Sequence, residues 1–279
     1  MTKLRADLHN HLRTSSNLQP EDFNRAIDIA RERLGPDGTF SIANFGDKRY
    51  EKFAGLRGYE RVYVGENNSA VYVPSKKVLV VKAQEVPTKQ GHLLVLGLGF
   101  EQHLKPNQDL EYTIREADEK TTGEAAKVAD HPFFLAGIGP YLQQHPKLLE
   151  QLDGIEIHNG EAIFGNANKK ARDFYNQVKS DYPNLGALSS SDGHSFYELG
   201  KSWTEIDFPD IDNPAQFVPS LKQAIRATNS QTPYHNHVSY AGFIDHALDL
   251  AFITKVAPRI GMAKMFETDR PEEKDLNTI

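Results

Sequence analysis

The sequence predicts an α/β domain, and three observations carry that prediction. Short apolar runs of strand character alternate with amphipathic helical runs through most of the chain. Residues able to do chemistry fall repeatedly where a predicted strand ends, the edge at which barrel-like α/β folds collect catalytic groups. No competing motif is present: there is no Walker loop, GxSxG elbow, HExxH helix or dinucleotide fingerprint.

The elements follow in order. Residues 4–9 read as a strand. Residues 21–34 read as an amphipathic helix with Phe23, Ile27, Ile29, Ala30 and Leu34 as its apolar residues, punctuated by Pro20 and Gly35. Residues 40–45 form a second strand. A β-rich stretch follows, with strands over 61–64, 70–73, 77–83 and 92–98 separated by Gly, Asn, Pro and Ser. Next come a helix over 112–121, a strand over 126–130, a helix over 140–152 and a strand over 154–158. A helix over 167–180, strands over 185–189 and 202–208, and a helix over 214–228 complete the pattern. Residues 240–260 read as mostly helical, and 270–279 as a polar tail.

Composition narrows the chemistry. With 279 residues, 39% hydrophobic and 25% charged, the chain can build a substantial core and looks like an ordinary soluble protein. No apolar run approaches the roughly 18 residues of a membrane span, and the N-terminus carries no apolar signal core. A cytoplasmic location without a membrane partner is expected. The absence of cysteine excludes disulfides, thiolate zinc sites and a Cys nucleophile, so any metal must be held by imidazole and carboxylate. The net charge of −6, with no long basic run, leads us to expect no long duplex nucleic acid as partner.

Five clusters carry the chemical signal. In Asp7-Leu8-His9-Asn10-His11, alternate residues share a strand face, so His9 and His11 can offer two imidazoles to one ion while Asp7 orients a ring. Alone, the pair reads equally well as two surface histidines. Asp192-Gly193-His194 repeats the spacing after Ser189-Ser190-Ser191, although by itself it reads as a turn. Glu85 follows a strand, and its two carboxylate oxygens suit it to bridge two cations. Asp130-His131-Pro132 ends another strand, with Pro132 restricting His131. In Ile155-Glu156-Ile157-His158-Asn159, Glu156 and His158 share one face and Asn159 the other; the sequence leaves open which face meets the site.

Together with Gln84-Glu85 and Gly91-His92-Leu93-Leu94, these clusters resemble the polymerase and histidinol phosphatase (PHP) family of metal-dependent phosphoesterases. The ordered set spans most of the chain. The resemblance implies a distorted seven-stranded β/α (TIM-like) barrel over 1–232, with 233–279 as a C-terminal helical extension and polar tail on or beside it. It implies divalent zinc, manganese or iron at the barrel mouth. His9, His11, Glu85 and Asp192 would hold one ion. Glu85 and His131, with His158 or Asn159, would hold a second, and His194 would belong to a third. Where the family carries acidic or histidine ligands in its first two loops, this chain has Thr14-Ser15-Ser16-Asn17 and Ala43-Asn44-Phe45-Gly46-Asp47. The expectation is therefore two ions, with the third site weak or empty.

The function implied is hydrolysis of a small phosphate ester, nucleotide or short oligonucleotide by a metal-activated hydroxide. Glu85 and Asp192 would set the ions, and His194 would protonate the leaving group. Arg13, Lys48 and Arg49, in loops after the first two strands, are candidates for the substrate phosphate. His92 is expected to be structural. Two other readings stand beside this one: an amidohydrolase-type metal hydrolase, and a non-catalytic domain binding metal or phosphate.

Overall fold

The computed structural model describes residues 3–163 and 165–231, together with the backbone of 233–234. Its strands are β1 (Lys3–Asp7), β2 (Gly38–Asn44), β3 (Val62–Val64), β4 (Ala70–Val73), β5 (Val78–Thr88), β6 (Gly91–Leu96), β7 (Ala126–Ala129), β8 (Gly154–Asn159), β9 (Gly186–Ser190), β10 (Trp203–Asp207) and β11 (Pro233–Tyr234). The helices are α1 (Asp22–Leu34), α2 (Arg49–Gly55), α3 (Leu110–Thr121), α4 (Gly139–Gln144), α5 (Ala167–Val178) and α6 (Pro214–Arg226).

The sheet runs β10-β1-β2-β5-β6-β7-β8-β9. Its ends approach through Thr204 of β10, whose Oγ1 accepts from the Ser189 N–H at 2.7 Å and donates to the Ser189 carbonyl at 3.1 Å. The result is a nearly closed barrel of eight strands, against the seven expected. Strands β1, β2, β5, β7, β8 and β9 share one direction, while β6 and β10 run against them. The carboxyl ends of six strands therefore open on one mouth, and β6 contributes its start to the same end.

Period-two alternation sorts the strand residues. On β5, Leu79, Val81 and Ala83 join the barrel interior, while Val78 and Val80 pack outward against Phe23, Ile27 and Phe53 of α1 and α2. Leu94 and Leu96 of β6, Ala126 and Val128 of β7, and Leu188 of β9 also point in. Ile155 and Ile157 of β8 point out, toward Phe174 and Tyr175 of α5. Helix α6 plugs the end opposite the mouth with Phe217, Leu221 and Ile225. It lies so close that a Cβ on Gly186, at the start of β9, would sit 2.0 Å from the Ile225 carbonyl oxygen.

The structure departs from the sequence expectation in three places. The helix expected over 140–152 is split into α4 and a 3-10 turn, Pro146–Gln151, because Pro146 has no N–H for an α-helical bond. Strand β5 continues past residue 83 to Thr88, since β6 pairs with it from Ala83↔Leu96 to Thr88↔Gly91. Helix α2 was not expected. It buries Tyr50, Phe53 and Ala54, and the Asn44 Oδ1 accepts its Tyr50 N–H at 2.8 Å. The helix expected over 240–260 and the polar tail expected over 270–279 lie outside the described residues.

Candidate metal centre

Continuing the inward parity to the mouth predicts one side chain per strand. After Leu79, Val81 and Ala83 comes Glu85; before Leu94 and Leu96 comes His92; after Ala126 and Val128 comes Asp130. With Ile155 and Ile157 outward, Glu156 faces in, and Leu188 leads to Ser190 and Asp192. β1 ends at Asp7, so His9 and His11 reach the mouth from the segment beyond it. That segment is stitched in place by main-chain bonds: Asp192 N to His9 O at 2.9 Å, His11 N to Gly193 O at 2.8 Å and Ala43 N to Asn10 O at 2.7 Å.

Glu85 stands at the centre, its two oxygens turned to two different groups. Oε2 lies 3.0 Å from His11 Nε2 and 3.8 Å from His9 Nε2. Oε1 lies 3.1 Å from His131 Nε2 and 2.5 Å from His92 Nδ1. Asp192 Oδ1 completes the first group at 3.4 Å from His9 Nε2 and 3.6 Å from His11 Nε2. Two sets, His9/His11/Asp192 and Glu85/His92/Asp130/His131, each have donor atoms within 4.8 Å of one another.

A surrounding layer fixes the rings. His9 Nδ1 donates to Glu156 Oε1 at 3.0 Å, and His11 Nδ1 donates to the Ala43 carbonyl at 3.2 Å. Both imidazoles therefore turn Nε2 inward, the nitrogen that would meet an ion. Glu156 Oε2 also accepts the His131 N–H at 2.8 Å. The Asn159 amide donates to Glu156 Oε2 at 3.1 Å and Asp192 Oδ2 at 3.0 Å, spacing the two carboxylates. Leu12 (φ 52°), His131 (φ 26°) and Asp192 (φ 51°) all adopt left-handed backbone. Such strain costs about 1–3 kcal/mol per residue and persists where the surroundings over-determine it.

The cluster is buried, and its charges set each other's protonation. Burial lowers the His131 pKa, but Asp130 and Glu85 overcome this and push it up to about 10. Burial opposes a proton on His9 as well, yet Asp192 and Glu156 hold its pKa well above the ordinary imidazole value. His11 goes the other way, to about 4, through burial and the neighbouring His194 despite Glu85. Burial pushes Asp130 up to about 7. Burial would also raise Glu85, but His11 and His131 close to its oxygens, with His9 and His92 beside them, keep it well below the usual carboxylate range. In the protein alone, protons on imidazole offset the carboxylate charge.

Of the residues expected from sequence, His9, His11, Glu85, His131 and Asp192 converge. His194 stacks on His11 with ring centroids 4.6 Å apart, and its Nδ1 lies 3.0 Å from Glu161 Oε1. His158 is in neither donor set; a β-bulge between Glu156 and His158 breaks the shared face expected for them. Asn159 works through hydrogen bonds to carboxylates. Asp7 does not orient a ring: it accepts from the Ser191 and Gly200 N–H groups at 2.9 and 2.7 Å. Arg49 is buried, its Nε donating to both Asp47 oxygens at 2.8 Å. Arg13 lies 3.6 Å from Asp22, and Lys48 is half-buried beside α2. Sequence reasoning named Asp130 and Glu156 within their clusters but assigned neither a role, and treated His92 as structural. The inward parity of β6, β7 and β8 was the signal that would have found all three.

No protein-family model matches the chain. No curated protein matches it either. Solved structures do. Endonuclease Q bound to a 27-mer duplex substrate with an abasic lesion at its active site superposes with a TM-score of 0.56 at 16% identity, over 82% of this chain and 58% of that one. The chain thus spans well under two thirds of that protein. PsfC from Pseudomonas syringae PB-5123 superposes with a TM-score of 0.55 at 14% identity, over 90% and 98% of the two chains. The lesion-specific endonuclease PfuEndoQ from Pyrococcus furiosus gives 0.54 at 15%, over 91% and 68%. At these identities the likeness establishes the fold, which is the TIM-like barrel that the PHP resemblance implied.

One expectation is corrected. The net charge of −6 argued against a long duplex partner, yet a protein of this fold holds a 27-mer duplex. Net charge averages the whole surface and does not report the potential at one mouth. Among the described residues, no helix is long and apolar enough to cross a membrane.

Proposed function

We propose that the chain is a metal-dependent phosphoesterase acting on phosphate esters, nucleic-acid strands among them. The observation that supports this most directly is Glu85, whose Oε1 and Oε2 are each turned to a separate group of imidazole donors at 3.0–3.1 Å. The residues fit divalent ions. His9 Nε2 and both Asp130 oxygens are buried with no hydrogen-bond partner among the described residues, an arrangement that is costly unless a cation satisfies such atoms. His9, His11 and Asp192 would hold one ion, and His92, Asp130 and His131 the other, with Glu85 shared between them. Zinc, manganese and iron all suit such donors. Ions bound there supply Lewis-acid charge to phosphoryl oxygens and lower the pKa of water toward neutrality.

The chain's own residues do the rest. Glu156 and Asn159 hold the donors in orientation. Arg49, held by Asp47, is assigned to a non-bridging phosphoryl oxygen, with Arg13 and Lys48 as outer contacts. His194, held through Nδ1 by Glu161, is assigned as proton donor to the leaving oxygen. The assignment predicts that His194→Ala slows esters with poor leaving groups more than p-nitrophenyl esters; equal losses would remove the role.

The overall reading is tested by assaying the purified chain with manganese or zinc against p-nitrophenyl phosphate, bis-p-nitrophenyl phosphate, an oligonucleotide and a cyclic amide. Metal-dependent cleavage of phosphate esters is expected. Turnover of the amide alone would favour an amidohydrolase.

A further inference from the structure

Phe45 is the odd member of the mouth. It continues the inward parity of β2 after Ala43, where the other strands bring Glu85, His92, Asp130, Glu156 and Asp192. Its ring lies edge-on to two imidazoles of the cluster, 5.9 Å from His11 and 5.4 Å from His92 between centroids. Yet it is 38% exposed, while its neighbours in the ring of donors are nearly all buried. A phenyl ring kept partly in water beside a charged site forgoes burial worth about 25 cal/mol per Å². That loss is recovered if something apolar covers the ring during function.

The loop holding Phe45 is built to keep it there. Asp47 Oδ1 accepts the Phe45 N–H at 3.4 Å, and Asp47 Oδ2 accepts the Ser15 N–H at 3.0 Å. The same carboxylate grips Arg49. One short loop therefore presents a fixed aromatic face and a fixed cation beside the donors: a face for a flat ring, and a charge for the phosphate attached to it. Two further exposed apolar side chains, Leu135 at 70% and Tyr197 at 67%, sit on the loops that follow His131 and His194. Arg25 lies 5.3 Å over the Tyr197 ring. Aromatic faces interleaved with arginine are a common way to hold single-stranded nucleic acid.

We infer that Phe45 is a specificity-determining stacking surface for the nucleobase adjoining the scissile phosphate. This rests on the phosphoesterase reading, and it narrows the substrate to nucleotides or a nucleic-acid strand with that base unstacked. Sugar phosphates would lack the group that Phe45 recognises.

The test is a binding measurement that does not need turnover. The metal-loaded chain is titrated calorimetrically with the phosphonate analogue of thymidine monophosphate and with that of deoxyribose 5-phosphate. Wild type should prefer the first. Phe45→Ala should weaken the nucleotide analogue about tenfold or more, the scale of one base–aromatic stack, and change the sugar analogue less than twofold. Phe45→Trp should retain the preference, while Phe45→Leu, apolar but not planar, should lose it. The inference is overturned if wild type shows no preference, if Phe45→Ala weakens both analogues equally, or if Phe45→Leu binds like wild type. Failure of the phosphoesterase reading shows separately, as absence of metal-dependent p-nitrophenol release by wild type.

Discussion

Strand β5 carries two buried charges three residues apart, and they are treated in opposite ways. Lys82 is fully buried, and its ammonium donates to the carbonyls of Gly99, Phe100 and Gln102 at 2.7–2.8 Å and pairs with Glu51. It ties the segment after β6 to the outside of the barrel. Glu85 is buried on the inner face, among imidazoles and carboxylates of which His9 Nε2 and both Asp130 oxygens find no hydrogen-bond partner among the described residues. A buried charge whose donors are all spoken for is structural. A buried cluster with several polar atoms left unpartnered is built to receive something from outside the chain. The two regions therefore fail in different ways when altered.

The largest effect is expected at Glu85. Glu85→Ala removes the group shared by both donor sets, and should cut metal-dependent phosphoesterase activity about a thousandfold, several kcal/mol of transition-state stabilisation. In the metal-free protein the variant should also melt lower, because the His131 imidazole loses the carboxylate that faces it. Kinetic assay and a thermal melt of the same preparation would check this. Lys82→Met leaves both donor sets intact. Stranding Glu51 and three carbonyls should cost about 3 to 5 kcal/mol in urea unfolding, while metal bound per folded chain stays at the wild-type level. Loss of metal from folded Lys82→Met would erase the contrast.

Smaller effects sharpen the comparison. Glu156→Gln keeps the shape but weakens the grip on His9 Nδ1, and should lower metal affinity about 10- to 100-fold; a competition titration against a chelator reads it. Metal affinity should also depend on pH. The His131 pKa is raised to about 10 and that of His9 is raised as well. The His131 ring is therefore protonated at neutral pH in the protein alone, a proton on His9 is favoured as well, and an ion must displace them. Affinity should fall as pH falls, by about tenfold per unit for each proton displaced. Calorimetry in buffers of different ionisation enthalpy counts the protons, and a count of zero would contradict the assignment of these rings.

How much was legible beforehand follows the same division. His9, His11, His131 and Asp192 were visible because short motifs place them at strand ends, and the clustering of such ends is a property of the barrel itself. Glu85 was placed just past a strand that in fact runs on to Thr88; only the β6 partner reveals the extension. Asp130, Glu156 and His92 needed the facing of each strand, which follows from knowing that Val128, Leu94 and the isoleucines of β8 divide between the interior and the outer layers. The bulge that separates His158 from Glu156 left no trace in composition. Lys82 drew no attention, because a lone lysine in an apolar run gives no sign of three carbonyls waiting for it. The duplex expectation failed because it used an average where a local surface decides.

The most direct measurement is elemental analysis of the purified full chain beside Glu85→Gln and Lys82→Met. Two divalent ions per wild-type and per Lys82→Met chain, with fewer than two in Glu85→Gln, is the predicted result. A wild-type chain that binds no divalent ion when supplied with zinc or manganese, or a Glu85→Gln chain that holds both as tightly, would contradict the shared carboxylate on which the account depends.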